Sequence, residues 1–136
     1  MLGLANAFIL ILLALIHFYW AMGGIWGKEK SVPSTVSGTQ LFNPGIVATS
    51  VVGIGLFTFA LIELGRAGWI LRSFPPEIFR FGNHFITLIF FVRFVGDFRY
   101  VGIFKKVIGT EFSKNDTRYF SPLCFVISSL SLSLNL

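Results

Sequence analysis

Arg93 and Asp97 are the residues of this sequence whose chemistry most needs explaining, because both fall inside a long apolar and aromatic run. Charged side chains are costly in apolar surroundings and normally have an oppositely charged or hydrogen-bonding partner there. The two residues are four positions apart, so a helix would place them on one face. The spacing therefore predicts that Arg93 and Asp97 neutralise each other within one helix.

His17 and Trp20 lie near the end of the first apolar run, and Tyr100 follows Asp97 in the third. We expect these residues to converge with Arg93 at one level of a helical bundle. Arg93 would then be the partner of an anion, and His17 a hydrogen-bonding or proton-carrying group. The candidate ligand-binding residues are His17, Trp20, Arg93, Asp97 and Tyr100. An alternative stays open, in which these polar residues only hold the helices in register.

A second, weaker candidate cluster comprises Glu63, Arg66 and His84. His84 is nine residues before Arg93 and therefore on the opposite side of the same helix, so it does not join the first group. The alternative for this cluster is a solvated pair of charged residues at helix ends. Neither cluster assigns a catalytic residue, and whether the chain is an enzyme stays open.

Cys124 is the single cysteine, which excludes an intrachain disulfide, a CxxC redox pair and a thiolate zinc cluster. The common hydrolase, zinc-protease and phosphate-loop motifs are also absent from the sequence. The sequence thus predicts neither a metal ion nor a cofactor.

The elements that must position these side chains are long apolar segments. Hydrophobic residues make up 54% of the 136 residues and charged residues only 12%, with a mean hydropathy of +0.79. Globular domains average about 25% charged residues, so this composition indicates an integral membrane protein. The net charge is +5, but the basic residues form short clusters between apolar runs, as loops beside a membrane do. Nucleic acid is therefore not expected as a partner.

We predict one all-α domain over residues 1–136, an integral membrane bundle of four transmembrane helices with a short interfacial segment between helices 3 and 4. A hydrocarbon core about 30 Å thick requires roughly 20 helical residues. The predicted spans cover approximately residues 4–22, 46–64, 81–101 and 119–136. No basic segment precedes Leu4, so we expect the first span to be retained rather than cleaved as a signal peptide.

The second span also carries a stripe of mostly small residues at alternating steps of four and three. Its members are Thr49, Gly53, Leu56, Ala60 and Glu63. Small residues along one face let helices approach closely inside a membrane. We therefore predict that this face is buried against neighbouring helices.

The distribution of Lys and Arg predicts how the bundle is oriented. The first and third loops carry Lys28, Lys30, Lys105, Lys106, Lys114 and Arg118, and the second loop carries Arg66, Arg72 and Arg80. Basic residues accumulate on the cytoplasmic side of a membrane. We therefore predict a multi-pass protein of the cell membrane with both termini on the non-cytoplasmic side.

Several segments of the chain carry a resemblance to one family. They are His17-Phe-Tyr-Trp-Ala21, Arg93-Phe-Val-Gly-Asp-Phe-Arg-Tyr-Val-Gly102, Lys105-Lys106, Thr110-Glu-Phe112, Asp116 and Ser121-Pro-Leu-Cys124. Together they resemble a family of small bacterial membrane proteins with four spans, known only as a domain of unknown function. The resemblance covers most of the chain and implies its fold and membrane location. It assigns no activity to particular residues.

Three functional hypotheses remain open at this point. The first is a membrane protein that binds or transports a small polar, anionic or amphiphilic ligand at an intramembrane polar site. The second is a membrane-embedded enzyme on a lipid or isoprenoid substrate, with His17 or Asp97 as general acid or base. The third is a structural partner subunit of a membrane complex. The lipid bilayer is the expected partner, and a lipid or small-molecule ligand and a homodimer stay open.

Overall fold

The computed structural model describes all residues from Met1 to Leu136, and its regular structure is helical apart from one isolated bridge between Ser34 and Gln40. The helices are α1 (Leu2–Ala21), α2 (Ile46–Arg66), α3 (Pro76–Val95), α4 (Glu111–Asn115) and α5 (Ser121–Ser133). A short 3-10 turn, Glu29–Ser31, lies in the first loop. The predicted all-α class is therefore confirmed.

The last helix begins before the predicted residue 119, ends at Ser133 before the predicted residue 136, and is not uniform. Between α4 and α5 runs a π-helical turn, Asp116–Phe120, so the chain is helical without a break from Glu111 to Ser133. The predicted interfacial segment is accordingly an irregular loop followed by the first turns of this helix. We call the whole stretch from Glu111 to Ser133 the fourth helix.

Three helices, α1, α2 and α3, are long and apolar enough to cross a membrane, whereas the fourth helix does not meet that description. The outward side chains of the three are large and apolar, for example Phe8, Leu12, Val51, Ile54 and Leu88. The buried residues, in contrast, include ten that are polar or charged. An apolar exterior over a partly polar interior suits lipid contact and is unlike a water-soluble bundle.

The core lies where α1, α2, α3 and α5 meet. Its buried residues are Ala7, Leu10, Ala14, Leu56, Ala60, Ile86, Phe90, Cys124 and Ile127. The buried residues of α2 are Thr49, Gly53, Leu56, Ala60 and Glu63, so the predicted stripe is confirmed as the inward face of this helix.

The third helix ends at Val95, earlier than the predicted end at residue 101. Gly96 has a φ of +88°, in the left-handed region, where glycine is favoured and a helix stops. Asp97 and Tyr100 consequently lie in the loop after α3 and not within a span.

Candidate functional site

Arg93, in the last turn of α3, is paired with a residue of the fourth helix. Its Nη2 donates to Asp116 Oδ1 at 2.8 Å. Lys105 Nζ donates to Asp116 Oδ2 at 3.1 Å, and the Gly102 N–H donates to the same oxygen at 2.9 Å. Asp116 is fully buried, and these three donors satisfy both of its oxygens. The predicted neutralisation of Arg93 by Asp97 is therefore wrong.

The charge state of Asp116 follows from this environment. Burial alone would raise its pKa, but the hydrogen bond and charge of Arg93, with the hydrogen bonds of Lys105 and Gly102, hold the pKa below the ordinary 3.8. Asp116 also begins the π-helical turn. Such turns are rare and frequently occur at functional sites.

Asp97 shapes the loop after α3 instead of facing Arg93. Its Oδ1 accepts the backbone N–H groups of Arg99, Tyr100 and Val101 at 2.9, 2.7 and 2.9 Å. Its slight burial would raise the pKa of Asp97, but these hydrogen bonds lower it from 3.8. Asp97 itself is exposed and makes no ion pair with Arg93.

A cleft of about 560 Å³ opens beside Arg93, between α1, the first loop and the start of the fourth helix. Its large apolar and aromatic lining residues are Leu13, Ile16, Trp20, Trp26, Tyr119 and Phe120. Its polar lining residues are His17, Lys30, Ser31, Arg93 and Asn115. Two of these residues are cations, and no carboxylate lines the cleft.

Arg93 has unused hydrogen-bonding capacity beside this cleft. Its Nη2 is bonded to Asp116, but its Nη1 is buried and has no hydrogen-bond partner. The side chain as a whole is 33% exposed. A buried donor on a charged group is costly to leave unpaired, so this nitrogen would be stabilised by an additional acceptor.

His17 and Trp20 hold the wall of the cleft that α1 provides. His17 Nδ1 lies 2.7 Å from the Leu13 carbonyl oxygen, an arrangement that makes Nδ1 the donor and leaves Nε2 free. The His17 and Trp20 rings meet edge to face, with centroids 5.1 Å apart. Trp20 Nε1 donates to the Trp26 carbonyl oxygen at 2.7 Å and ties the first loop to α1.

The structure thus brings three of the five predicted site residues to one cleft. These are His17, Trp20 and Arg93, while Asp97 and Tyr100 belong to the loop behind it. Lys30, Trp26 and Asp116 were not among the predicted site residues. Asp116 was visible in the sequence as an acidic residue between Lys114 and Arg118, but its distance from Arg93 along the chain gave no pairing.

Glu63 lies at the other end of the bundle and is fully buried. Its Oε1 accepts hydrogen bonds from Asn6 Nδ2 at 3.0 Å, Asn83 Nδ2 at 2.9 Å and Ser131 Oγ at 2.5 Å. Since α1, α3 and α5 each supply one donor, all four helices meet at this carboxylate. The alternative of a solvated pair at helix ends is therefore wrong for Glu63.

The other two members of the weaker cluster lie around Asn135 and not on Glu63. Arg66 Nε donates to Asn135 Oδ1 at 3.4 Å, and His84 Nδ1 lies 3.3 Å from Asn135 Nδ2. Asn135 Nδ2 also donates to Asn83 Oδ1, which links this group to the buried carboxylate indirectly. Asn83, a polar residue inside an apolar helix, was the signal in the sequence for this connection.

The comparisons with known proteins give one match. A family model described as "Protein of unknown function (DUF3995)" matches residues 10–131. This range includes all residues that line the cleft, Asp116, and the polar residues around Glu63 and Asn135, with the exception of Asn6 and Asn135 themselves. No curated protein and no solved structure matches the chain.

Proposed function

Since this chain belongs to the family of proteins of unknown function (DUF3995), we propose its function from the cleft beside Arg93. The protein binds a single-chain amphiphile whose anionic head, a phosphate or a carboxylate, meets the Arg93 guanidinium. The observation that carries this proposal is the partly exposed Arg93 guanidinium, with one nitrogen unpaired, at the lining of an apolar cleft that no carboxylate lines.

The balance of charge around the cleft favours an anion. Asp116 carries one negative charge and is shared by two cations, Arg93 and Lys105. Lys30 adds a further positive charge at the lining and makes no ion pair within the chain. An anionic head group would therefore complete a site in which the cations outnumber the carboxylates.

The rest of the lining favours an apolar tail. Trp20, Trp26, Tyr119 and Phe120 offer large ring surfaces that a small inorganic anion would leave in contact with water. Burial of apolar surface contributes roughly 25 cal/mol per Å², so an alkyl chain on these rings adds affinity. The combination of guanidinium and aromatic wall therefore supports an amphiphile over a free phosphate.

The test uses the two tryptophans of the cleft as reporters. Trp69 is the third tryptophan of the chain, so Trp69→Phe leaves only Trp20 and Trp26. An alkyl phosphate, a fatty acid and an alkyl alcohol of one chain length are titrated into this variant in a neutral detergent. We expect a saturable change in fluorescence with the two anions and none with the alcohol.

Arg93→Lys is the decisive variant, because it keeps a charge for Asp116 but removes the additional N–H donors of the guanidinium. Hydrogen bonds to charged groups contribute about 1.5–3 kcal/mol, so we expect the affinity for both anions to fall roughly tenfold or more. Arg80→Lys is the matched control, since Arg80 is exposed near the other end of α3. Equal binding of the alcohol, or wild-type affinity in Arg93→Lys, would show the proposal to be wrong.

We also infer that the fourth helix crosses the membrane after Asp116 and that the chain therefore has four spans. The hydrogen bond from Arg93 to Asp116 ties its start to the end of α3. The hydrogen bond from Asn6 to Ser131 ties its end to the start of α1. Because the fourth helix is bonded to its neighbours at both ends of the bundle, it would extend across the membrane over the same depth as α1 and α3. With four spans both termini lie on one side, and the distribution of Lys and Arg favours the non-cytoplasmic side.

A further inference from the structure

Two buried oxygen atoms, one of Glu63 and one of the neighbouring Asn6, have no hydrogen-bond partner. All three donors around this carboxylate bond to Oε1, whereas Oε2 is buried and unbonded. Asn6 Oδ1 is likewise buried and without a partner. Both residues are completely inaccessible to solvent. An ionised carboxylate would therefore hold part of its charge on an oxygen that neither protein nor bulk water stabilises, an arrangement of high cost.

No nearby ionisable group neutralises Glu63. Arg66, one turn along the same helix, donates its Nε to Asn135, and His84 on α3 also faces Asn135. No ion pair of the chain involves Glu63. The other ionisable groups at this end of the bundle are exposed, and they are the Met1 amino group, Arg72, Glu77, Arg80 and the Leu136 carboxylate.

We propose that Glu63 is a proton-binding site, with the proton on Oε2 and shared with Asn6 Oδ1. Asn6 and Glu63 are already joined by the hydrogen bond from Nδ2 to Oε1. An O–H from Oε2 to Oδ1 would close the paired arrangement that a carboxylic acid forms with a carboxamide. One proton thus gives a partner to both unbonded oxygens and removes the buried charge.

A proton suits this site better than a metal ion does. Every polar group that meets Oε1 from another helix donates a hydrogen bond to it, so the surroundings of this oxygen are arranged for an acceptor and not for a cation. Only two oxygens remain free, fewer than a hard metal cation requires. Because four helices meet here, release of the proton would also weaken their packing. This inference is independent of the cleft and its ligand.

The experiment is infrared spectroscopy of the full chain in detergent at neutral pH. A protonated carboxyl group has a carbonyl stretch that is separate from the bands of ionised carboxylates. We expect this band in the wild type, its loss in Glu63→Gln and its retention in Glu77→Gln, since Glu77 is exposed. The amide of Glu63→Gln can donate to Asn6 Oδ1 in place of the proton, so this variant should fold. Absence of the band from the wild type would overturn the proposal, and isotope-labelled glutamate assigns the band without any variant.

Thermal unfolding provides a second measurement. If the folded chain holds a proton that the unfolded chain releases, its stability must fall as the pH rises. Between about pH 5 and about pH 9, the midpoint of the wild type should therefore fall more than that of Glu63→Gln. Equal slopes would overturn the proposal. A midpoint that rises with sodium in the wild type but not in Glu63→Gln would also overturn it and assign the site to a metal cation.

Discussion

Asp116 is the residue on which the cleft depends, because it holds Arg93, Lys105 and the Gly102 backbone at one point. The Arg93 side chain would otherwise have no fixed position at the end of α3. A charged group that is positioned by a second buried charge is preorganised for a ligand. Asp116 therefore acts on the proposed ligand through Arg93 and not by touching it.

Asp116→Asn should destabilise the protein at neutral pH by roughly 3 kcal/mol or more, because it leaves Arg93 and Lys105 without a counter-charge in a mostly buried place. The measurement is thermal or denaturant unfolding in detergent. Glu111→Gln is the matched control. Glu111 and Lys114 form an exposed pair, each side chain 65% accessible, and such pairs contribute about 0–1 kcal/mol. Similar losses in the two variants would contradict this role of Asp116.

The lowered pKa of Asp116 also predicts how stability depends on pH. A carboxyl group whose pKa is lower in the folded state stabilises that state above its ordinary pKa of 3.8. The stabilisation should be complete at neutral pH and be lost as the pH falls through the folded-state pKa. Unfolding followed from about pH 6 downwards should show this loss in the wild type and a smaller one in Asp116→Asn. Parallel curves would contradict the prediction.

At the scale of elements, the loop from Gly96 to Gly102 determines where α3 ends and where Asp116 finds its backbone donor. Both glycines have a φ of +88°. A Cβ atom at Gly102 would overlap Val95 and Gly96, and one at Gly96 would overlap the Val101 carbonyl group. The two ends of the loop are thus in contact through backbone atoms alone, which only glycine permits.

Gly102→Ala should therefore destabilise the protein by more than about 1 kcal/mol and weaken anion binding, since the Gly102 N–H would move from Asp116. Gly109→Ala is an informative control. Gly109 has the same φ of +88°, but a Cβ there would meet nothing within 4 Å. Both variants carry the same backbone strain, so the difference between their losses of stability in denaturant unfolding measures the cost of the steric overlap at Gly102 alone. If both lose the same stability, close contact between the loop ends is not what matters.

At the scale of the whole molecule, the two ends of the bundle differ in chemistry. One end holds Arg93, Lys105 and Lys30 around a cleft, and the other holds the buried carboxylate of Glu63. The alternating directions of the helices produce this arrangement. The ends of α1 and α3 meet the start of the fourth helix, and their starts meet the end of α2.

The proposed four-span arrangement makes a direct prediction about topology. Reporter domains that are active on only one side of a membrane can be fused in turn to Met1 and Leu136. Four spans require that both fusions report the same side, and the distribution of basic residues predicts the non-cytoplasmic side. Reports from opposite sides would mean that the fourth helix does not cross.

The sequence by itself determined the apolar helices and the inward face of α2. Apolar length and small-residue spacing are local properties, so the stripe from Thr49 to Glu63 could be identified without knowledge of its neighbours. The same holds for His17 and Arg93 as residues that must face protein. The family resemblance was also carried by short local motifs, and the match over residues 10–131 confirms that the chain belongs to a family of unknown function.

Only the tertiary structure decided which polar groups are partners. Arg93 and Asp97 would be neighbours along an unbroken helix, yet Arg93 bonds to Asp116 because Gly96 ends the helix first. Glu63 was expected beside Arg66 and His84 but is surrounded by Asn6, Asn83 and Ser131. Partners for buried charges are selected by whichever side chains three other helices bring within about 3 Å, and that distance is a property of packing, not of spacing along the chain.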